Sequence, residues 1–211
     1  MKIALICGSP KVAMKSSSEA LLETFKYYVG EKAELTECKS HANVNFEEEF
    51  EKMKEADAWV FAYPLYVDGI PGHLLEFLVW LEENHMVSNK VSVYAIVNSG
   101  FCEGIQNEFA LKILENWCAK VGCTYGGGIG AGGGGGLANM PAAKPGKGPR
   151  IYIDGTISEL VQKVLQQESL DNQFVTVAFP KFLYKMGAQM GWRQMIRANG
   201  GKPKDLGNRP E

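Results

Sequence analysis

Five short apolar runs, each followed by residues with helical apolar spacing, fill most of the chain, and this alternation restricts the fold more than any other feature. The runs lie at Lys2–Cys7, 33–38, 57–63, 90–97 and 123–129. The first, KIALIC, is apolar after its lysine, as expected of a strand covered on both faces. Between the runs come helical stripes. Leu21, Leu22, Phe25, Tyr28 and Val29 form one, and Phe46, Phe50 and Met53 form a short acidic one. Leu74, Leu78 and Leu81 follow Pro71, which is tolerated in a first helical turn. Ile105, Phe109, Ile113 and Trp117 predict the buried face of the fourth helix. Ile157, Leu160, Val161, Val164 and Leu165 predict that of the fifth.

Strands separated by helical crossovers run parallel, and right-handed crossovers put helices on both faces. The expected fold is therefore α/β: a doubly wound, five-stranded parallel sheet in the flavodoxin-like order 2-1-3-4-5. Residues 1–170 form the expected domain. Residues 171–211 form a C-terminal basic helical extension, packed on the same domain or on a partner subunit. The segment 126–149 is glycine- and proline-rich and lacks periodicity. It reads either as a flexible loop or as backbone passing very close to something.

Charge excludes some functions. The net charge of -2 gives no reason to expect nucleic-acid binding. From residue 181 onward seven Lys/Arg face two acidic residues, a local +5 that leaves -7 for the rest. In that tail Lys181, Lys185, Arg193 and Arg197 recur at helical spacing, with Phe182, Met186 and Met190 on another face. The five cysteines include no CxxC pair, and the three histidines lack ligand spacing, so no metal is expected. The apolar start ends at Cys7, so it does not read as a signal peptide. No stretch approaches the roughly 20 apolar residues of a membrane span. The expectation is a cytoplasmic protein without stable membrane insertion.

In open parallel sheets, ligands bind beyond the carboxyl ends of the strands, near the point where strand order reverses. Three loops there are unusual. The first, GSPKVAMKSSS, places Ser9, Ser16, Ser17 and Ser18 before a helix, whose N-terminal amides favour an anion. One serine can be a simple N-cap; the cluster points to a phosphate. A nucleoside-triphosphate loop is excluded, because Ala13 and Met14 stand where glycine and lysine are needed. A dinucleotide fingerprint is excluded too, since Gly8 has no partner glycine, so the anion should be a terminal monophosphate. The second loop, YPLYVDGIPG, is apolar where loops are ordinarily polar; Pro64, Leu65, Tyr66, Val67 and Asp68 can wall a flat ring, or Tyr66 and Val67 can pack on a neighbour. The third, NSGFCEG, offers Asn98, Ser99, Gly100 and Phe101 to the polar edge of a heterocycle. Cys102 beside it lacks an adjacent base and reads as packing.

These motifs, GSPKVAMKSSSEALLE, YPLYVDGIPGHLLEFL and VNSGFCEG followed by NWCAKVGCTYGGGIGAGGG, resemble the NADPH-dependent FMN reductases. The resemblance spans roughly residues 1–135. It implies bound FMN, with Ser9, Ser16, Ser17 and Ser18 at the phosphate. It implies Pro64, Leu65, Tyr66 and Val67 at the ribityl chain and ring, and Asn98, Ser99, Gly100 and Phe101 across the isoalloxazine. Lys11 stands where some relatives carry arginine; it keeps the charge without the planar fork. No compact cysteine motif is present, so no iron–sulfur cluster is expected. The tail is similar to a clostridial-type branch of the group.

The resulting expectation is an enzyme. NADPH or NADH would reduce bound FMN, and the flavin would pass electrons to a small-molecule acceptor: a quinone, dye, nitro compound or other acceptor. No side chain is assigned as a catalytic acid. Alternatives are a flavodoxin-type electron carrier without its own substrate, and a non-enzymatic FMN-binding module. The apolar second loop and the aromatic tail predict a homodimer or homotetramer.

Overall fold

The computed structural model describes residues 1–11, 15–41, 44–134 and 145–208. The chain divides into two compact units, Met1–Val177 and Ala178–Glu211.

The first unit is a parallel sheet with helices on both faces. Its strands are β1 (Lys2–Cys7), β2 (Glu34–Lys39), β3 (Ala58–Pro64), β4 (Ser92–Asn98), β5 (Thr124–Ala131) and β6 (Gln173–Val175). Its helices are α1 (Ser17–Val29), α2 (Phe46–Met53), α3 (Gly72–Glu83), α4 (Glu108–Val121) and α5 (Ile151–Gln166). The order is β2-β1-β3-β4-β5-β6, and every neighbouring pair is parallel. The sheet thus has six strands, one more than the expected five. The sixth is only three residues long and pairs Gln173, Phe174 and Val175 with Ile129, Gly130 and Ala131. A run that short, flanked by polar residues, leaves no periodic signal. Residues 173–175, assigned to the extension from sequence, therefore belong to the sheet.

Burial explains the strands. β3 is buried over six of its seven residues, as is β4. α2, α3 and α4 cover one face, with Phe50, Met53, Leu74, Phe77, Leu78, Leu111, Leu114 and Trp117 in a common cluster. Trp80 packs on Phe46, Phe50 and Phe77, which fixes α2 against α3. The Trp117 indole donates to the Leu78 carbonyl, and Lys120 pairs with Glu82, which fixes α4 against α3. On the other face α1 and α5 pack together, and each buries an apolar side that includes Phe25 and Ile157 respectively. There Arg150 and the buried Asp154 form an ion pair that also reaches the Thr24 hydroxyl.

α4 buries a different face from the expected one. Ala110, Leu111, Leu114, Trp117 and Cys118 are buried, whereas Ile105, Phe109 and Ile113 are exposed, Phe109 by 63%. The helix carries two apolar stripes, and only one can face the sheet. The buried Tyr63 hydroxyl donates to the Ala110 carbonyl and selects the stripe that contains Ala110.

The glycine-rich stretch begins as strand. A Cβ at Gly132 would lie 2.2 Å from the Cys102 carbonyl oxygen, so here the backbone does pass too close to a neighbour for any side chain. Its continuation at 135–144 lies outside the described residues, as do 209–211 of the basic tail.

The second unit holds α6 (Lys181–Ala198) and a short 3-10 turn (Pro203–Gly207). The helix ends where Gly201 donates to the Ile196 carbonyl. No residue of α6 is buried. Among the described residues no helix is long and apolar enough to cross a membrane.

Candidate functional site

β1, β3 and β4 end side by side, and the three unusual loops leave from those ends. Gly8 donates to the Ala62 carbonyl at 2.8 Å. Its missing side chain is required, because a Cβ would meet Tyr63 Cβ at 2.9 Å. Ser9 follows, almost fully buried.

Ser16 caps α1. Its hydroxyl accepts from the Glu19 amide at 3.1 Å, and the Glu19 carboxylate accepts from the Ser16 amide at 2.6 Å. This capping box satisfies two first-turn donors. The helical ladder starts at Ala20, which donates to the Ser16 carbonyl. The amides of Ser17 and Ser18 are therefore the donors that neither the box nor the ladder uses. The hydroxyls divide the same way. That of Ser17 donates to the Gly134 carbonyl at 2.6 Å, which spends its proton. Those of Ser9, Ser16 and Ser18 accept from Lys11 N, Glu19 N and Asn98 Nδ2; the Ser16 hydroxyl also faces the Cys7 thiol, and those of Ser9 and Ser18 keep their own protons for another acceptor. The simple N-cap reading holds for Ser16, and the rest of the cluster retains donors.

Tyr66 and Gly69 exchange two backbone hydrogen bonds, 3.1 and 3.0 Å, across a two-residue turn. Its central residues, Val67 and Asp68, have φ of 48° and 57°. Two left-handed residues make a type I′ turn, the geometry that favours Asn-Gly. A β-branched residue there is strained by about 1–3 kcal/mol. Val67 is also fully exposed, and Tyr66 is 45% exposed. Strain and apolar exposure coincide on one side chain at the mouth of the strand ends.

The loops are tied together. Leu65 donates to the Asn98 carbonyl at 2.8 Å, and Asn98 Nδ2 reaches both Ser18 and the Tyr63 carbonyl. Ser99 is buried, and its amide donates to Ala131. Gly133 and Gly134 donate back to the Phe101 and Ser99 carbonyls. The structure thus joins Ser16, Ser17, Ser18, Pro64, Leu65, Asn98 and Ser99 in one bonded framework. Lys11, Tyr66, Val67, Asp68, Gly100 and Phe101 are exposed around it. Cys102 is half-buried, and its carbonyl accepts from the Thr176 hydroxyl.

Sequence reasoning missed His73. Its Nε2 donates to the Gly8 carbonyl at 3.1 Å, which holds the first loop against the start of α3. The signal was its position directly after Pro71-Gly72, where a helix beginning at a strand end must face that loop. Burial pushes the Cys7 thiol up, and Glu19 adds to the effect, so Cys7 behind the loop stays a neutral thiol.

A parallel sheet in this order, with an anion-seeking helix terminus and an apolar turn at adjacent strand ends, defines a flavodoxin-like α/β protein. The family model described as NADPH-dependent FMN reductase matches residues 1–121, and the chain belongs to that family. It is an FMN-dependent NAD(P)H oxidoreductase. Solved structures agree on the fold. An NADPH-quinone reductase from P. pentosaceus is 15% identical with a TM-score of 0.53, covering 78% of this chain and 98% of its own. An FMN-dependent NADH-azoreductase from Bacillus anthracis, solved with FMN, is 14% identical with a TM-score of 0.52, over 79% and 98%. A short-chain flavodoxin associated with a bacterial microcompartment is 12% identical with a TM-score of 0.54, over 80% and 100%. No curated protein matches the chain.

Proposed function

We propose that the FMN phosphate lies on the first turn of α1 and the flavin ring between the Tyr66–Gly69 turn and the Asn98–Phe101 loop. The donor set fits a phosphate monoester: two unused amides and the two uncommitted hydroxyl protons of Ser9 and Ser18 surround one helix terminus. The Glu19 carboxylate at this terminus has its charge held by the Ser16 amide. Ser9, Ser16, Ser17, Ser18 and Lys11 hold the anion. Pro64, Leu65, Tyr66, Val67 and Asp68 support one side of the ring, and Asn98, Ser99, Gly100 and Phe101 the other.

When bound, FMN supplies the electron transfer between the nicotinamide and the final acceptor. The protein's part is placement. Asn98 keeps the strand ends in register, and the strained turn presents Val67 and Tyr66 as a rigid apolar wall. Exposed Tyr66 and Phe101 leave the outer side open to a second flat molecule. That openness supports a planar, electron-poor acceptor: a quinone, an azo or other dye, or a nitroaromatic compound. The observation that carries the reading is the left-handed, fully exposed Val67. An apolar side chain is held there against both strain and water.

The outer seam between α3 and α4 supports a homodimer. Leu75 and Val79 of α3, with Phe109 and Ile113 of α4, are exposed beside the Glu82–Lys120 pair. A Cβ at Gly69 would touch Ile113, so this patch runs into the Tyr66–Gly69 turn. An apolar surface of this kind marks an interface. A second copy covering it would border the ring site.

The test is anaerobic. The purified protein, loaded with FMN, should bleach on addition of NADPH or NADH and regain its flavin absorbance when a quinone, azo dye or nitroaromatic is added. A protein that takes up no FMN, or one whose FMN neither nicotinamide reduces, overturns the proposal.

A further inference from the structure

Cys118 and Cys123 lie at the far end of the sheet from the proposed flavin site, where α4 gives way to β5. α4 ends in Gly122, whose φ of 80° is left-handed. Gly122 and Cys123 both donate to the Cys118 carbonyl, at 2.9 and 3.1 Å. The second of these is the six-to-one bond of a Schellman ending, a motif that folds the residue after the glycine back over the last full turn. Here both residues of that contact are cysteine. Their side chains meet in the same apolar cluster, and the two thiols share a hydrogen bond. Cys118 is fully buried, whereas Cys123 is partly open to solvent. In a helix ending of this kind an apolar pair would serve packing equally well, so the pairing of two sulfurs is chemically distinctive.

We propose that Cys118 and Cys123 are a reversible dithiol that closes to an intramolecular disulfide when the protein meets a peroxide. The Cys123 amide bonded to the Cys118 carbonyl holds the two backbones close together with both side chains in one cluster, the proximity that a disulfide needs. Cys123 is the attacking sulfur. It is the more accessible of the two, and the hydrogen bond from Cys118 lowers its pKa while raising that of Cys118. Its thiolate attacks one peroxide oxygen, the O–O bond breaks, and water leaves with a sulfenic acid formed at Cys123. The Cys118 sulfur then displaces the sulfenic oxygen, which leaves as a second water once it has taken the Cys118 proton. One peroxide is reduced by two electrons, and two thiols become one disulfide. The crosslink ties the end of α4 to the start of β5. The proposal rests on neither the flavin site nor the identity of the acceptor.

Lys120 lies between the two cysteines, so trypsin separates them into peptides 113–120 and 121–147. Folded protein is treated with one equivalent of hydrogen peroxide, alkylated and digested without reductant. The two peptides should appear linked, two hydrogens lighter than their sum. Free thiols counted in denaturant should fall from five to three and return to five with dithiothreitol. Cys123→Ala, at the partly exposed position, should abolish the linked species. Three outcomes refute the proposal: both cysteines remain alkylatable, Cys123 goes on to sulfinic acid while Cys118 stays free, or either cysteine links elsewhere.

Discussion

The carboxamide of Asn98 donates at once to the Ser18 hydroxyl, 2.9 Å away, and to the Tyr63 carbonyl, 3.1 Å away. It joins α1, β3 and β4 at the one place where all three loops depart. Asn98 is 4% exposed, so neither acceptor can turn to water if it is lost. Asn98→Ala should therefore destabilise the fold by about 2–3 kcal/mol, from two lost bonds and a buried carbonyl left short of a partner. Urea unfolding measures this. Asn98→Asp should be at least as damaging, because a carboxylate oxygen would face the Tyr63 carbonyl.

The hydroxyl inventory at α1 separates structural from binding serines. Ser16→Ala removes the cap and should cost about 1 kcal/mol of stability without flavin present. Ser9→Ala breaks only a long contact of 3.4 Å and should leave stability nearly unchanged. If the phosphate takes the Ser9 proton, FMN affinity in Ser9→Ala should fall about tenfold, the worth of one charge-assisted bond. Riboflavin, which has no phosphate, should bind the variant and the parent equally. Equal losses for both ligands would move the phosphate elsewhere.

Val67 offers a test in which stability and binding move in opposite directions. Asparagine tolerates the left-handed region far better than valine. Val67→Asn should raise stability by about 1 kcal/mol, since an exposed side chain contributes little and the turn loses its strain. The same change should weaken FMN binding several-fold by removing the apolar wall. Thermal unfolding of the FMN-free protein and a fluorescence titration would decide. A destabilised variant would mean the turn is not strained as described.

These sites show how far the sequence could be read. β1 to β5 were legible because a strand buried on both faces must be written as an apolar run, and DAWVFAY or KVSVYAIV allow little else. β6 was not, since QFV pairs mainly through backbone atoms. The buried face of α4 was ambiguous in principle: Phe109/Ile113 and Ala110/Leu114 are both proper stripes, and a contact from Tyr63, 47 residues away in sequence, decides between them. The three loops were legible as a cluster because the chain order of an α/β sheet brings strand ends together. The left-handed Val67 was hidden, because a β-branched residue argues against that conformation. His73 and the Ser17–Gly134 bond depend on tertiary contacts that spacing does not reveal.

Alkaline pH should expose the buried thiol of Cys38. Burial, with Glu49 nearby, pushes its pKa up to about 12 from the ordinary 9.0. Between those values the unfolded chain has released this proton while the folded chain retains it. The folded state then binds more protons, so stability falls as pH rises. The contribution is complete below pH 9 and is lost progressively up to about pH 12, at up to about 1.4 kcal/mol per pH unit. Cys38→Val keeps the volume and removes the titration. Its unfolding free energy should therefore decline less steeply between pH 9 and 11 than that of the parent.

The exposed stripe of α4 should govern assembly. Phe109 is 63% exposed and Ile113 38% exposed, yet both are large and apolar, and Leu75 and Val79 are exposed on α3, to which α4 is tied by the Trp117–Leu78 and Lys120–Glu82 bonds. Burying such a patch against a second copy gains roughly 25 cal/mol per Å² of apolar surface, enough to favour a dimer once several such side chains are covered. Phe109→Glu puts a charge in the centre of the seam. In a monomer that charge would face water and change stability by no more than about 0.5 kcal/mol. In a dimer two glutamates would be brought towards one interface and desolvated. Sedimentation velocity should therefore show a dimer for the parent and a monomer for Phe109→Glu, with circular dichroism unchanged. A monomeric parent at micromolar concentration would remove the interface and leave the stripe as plain surface.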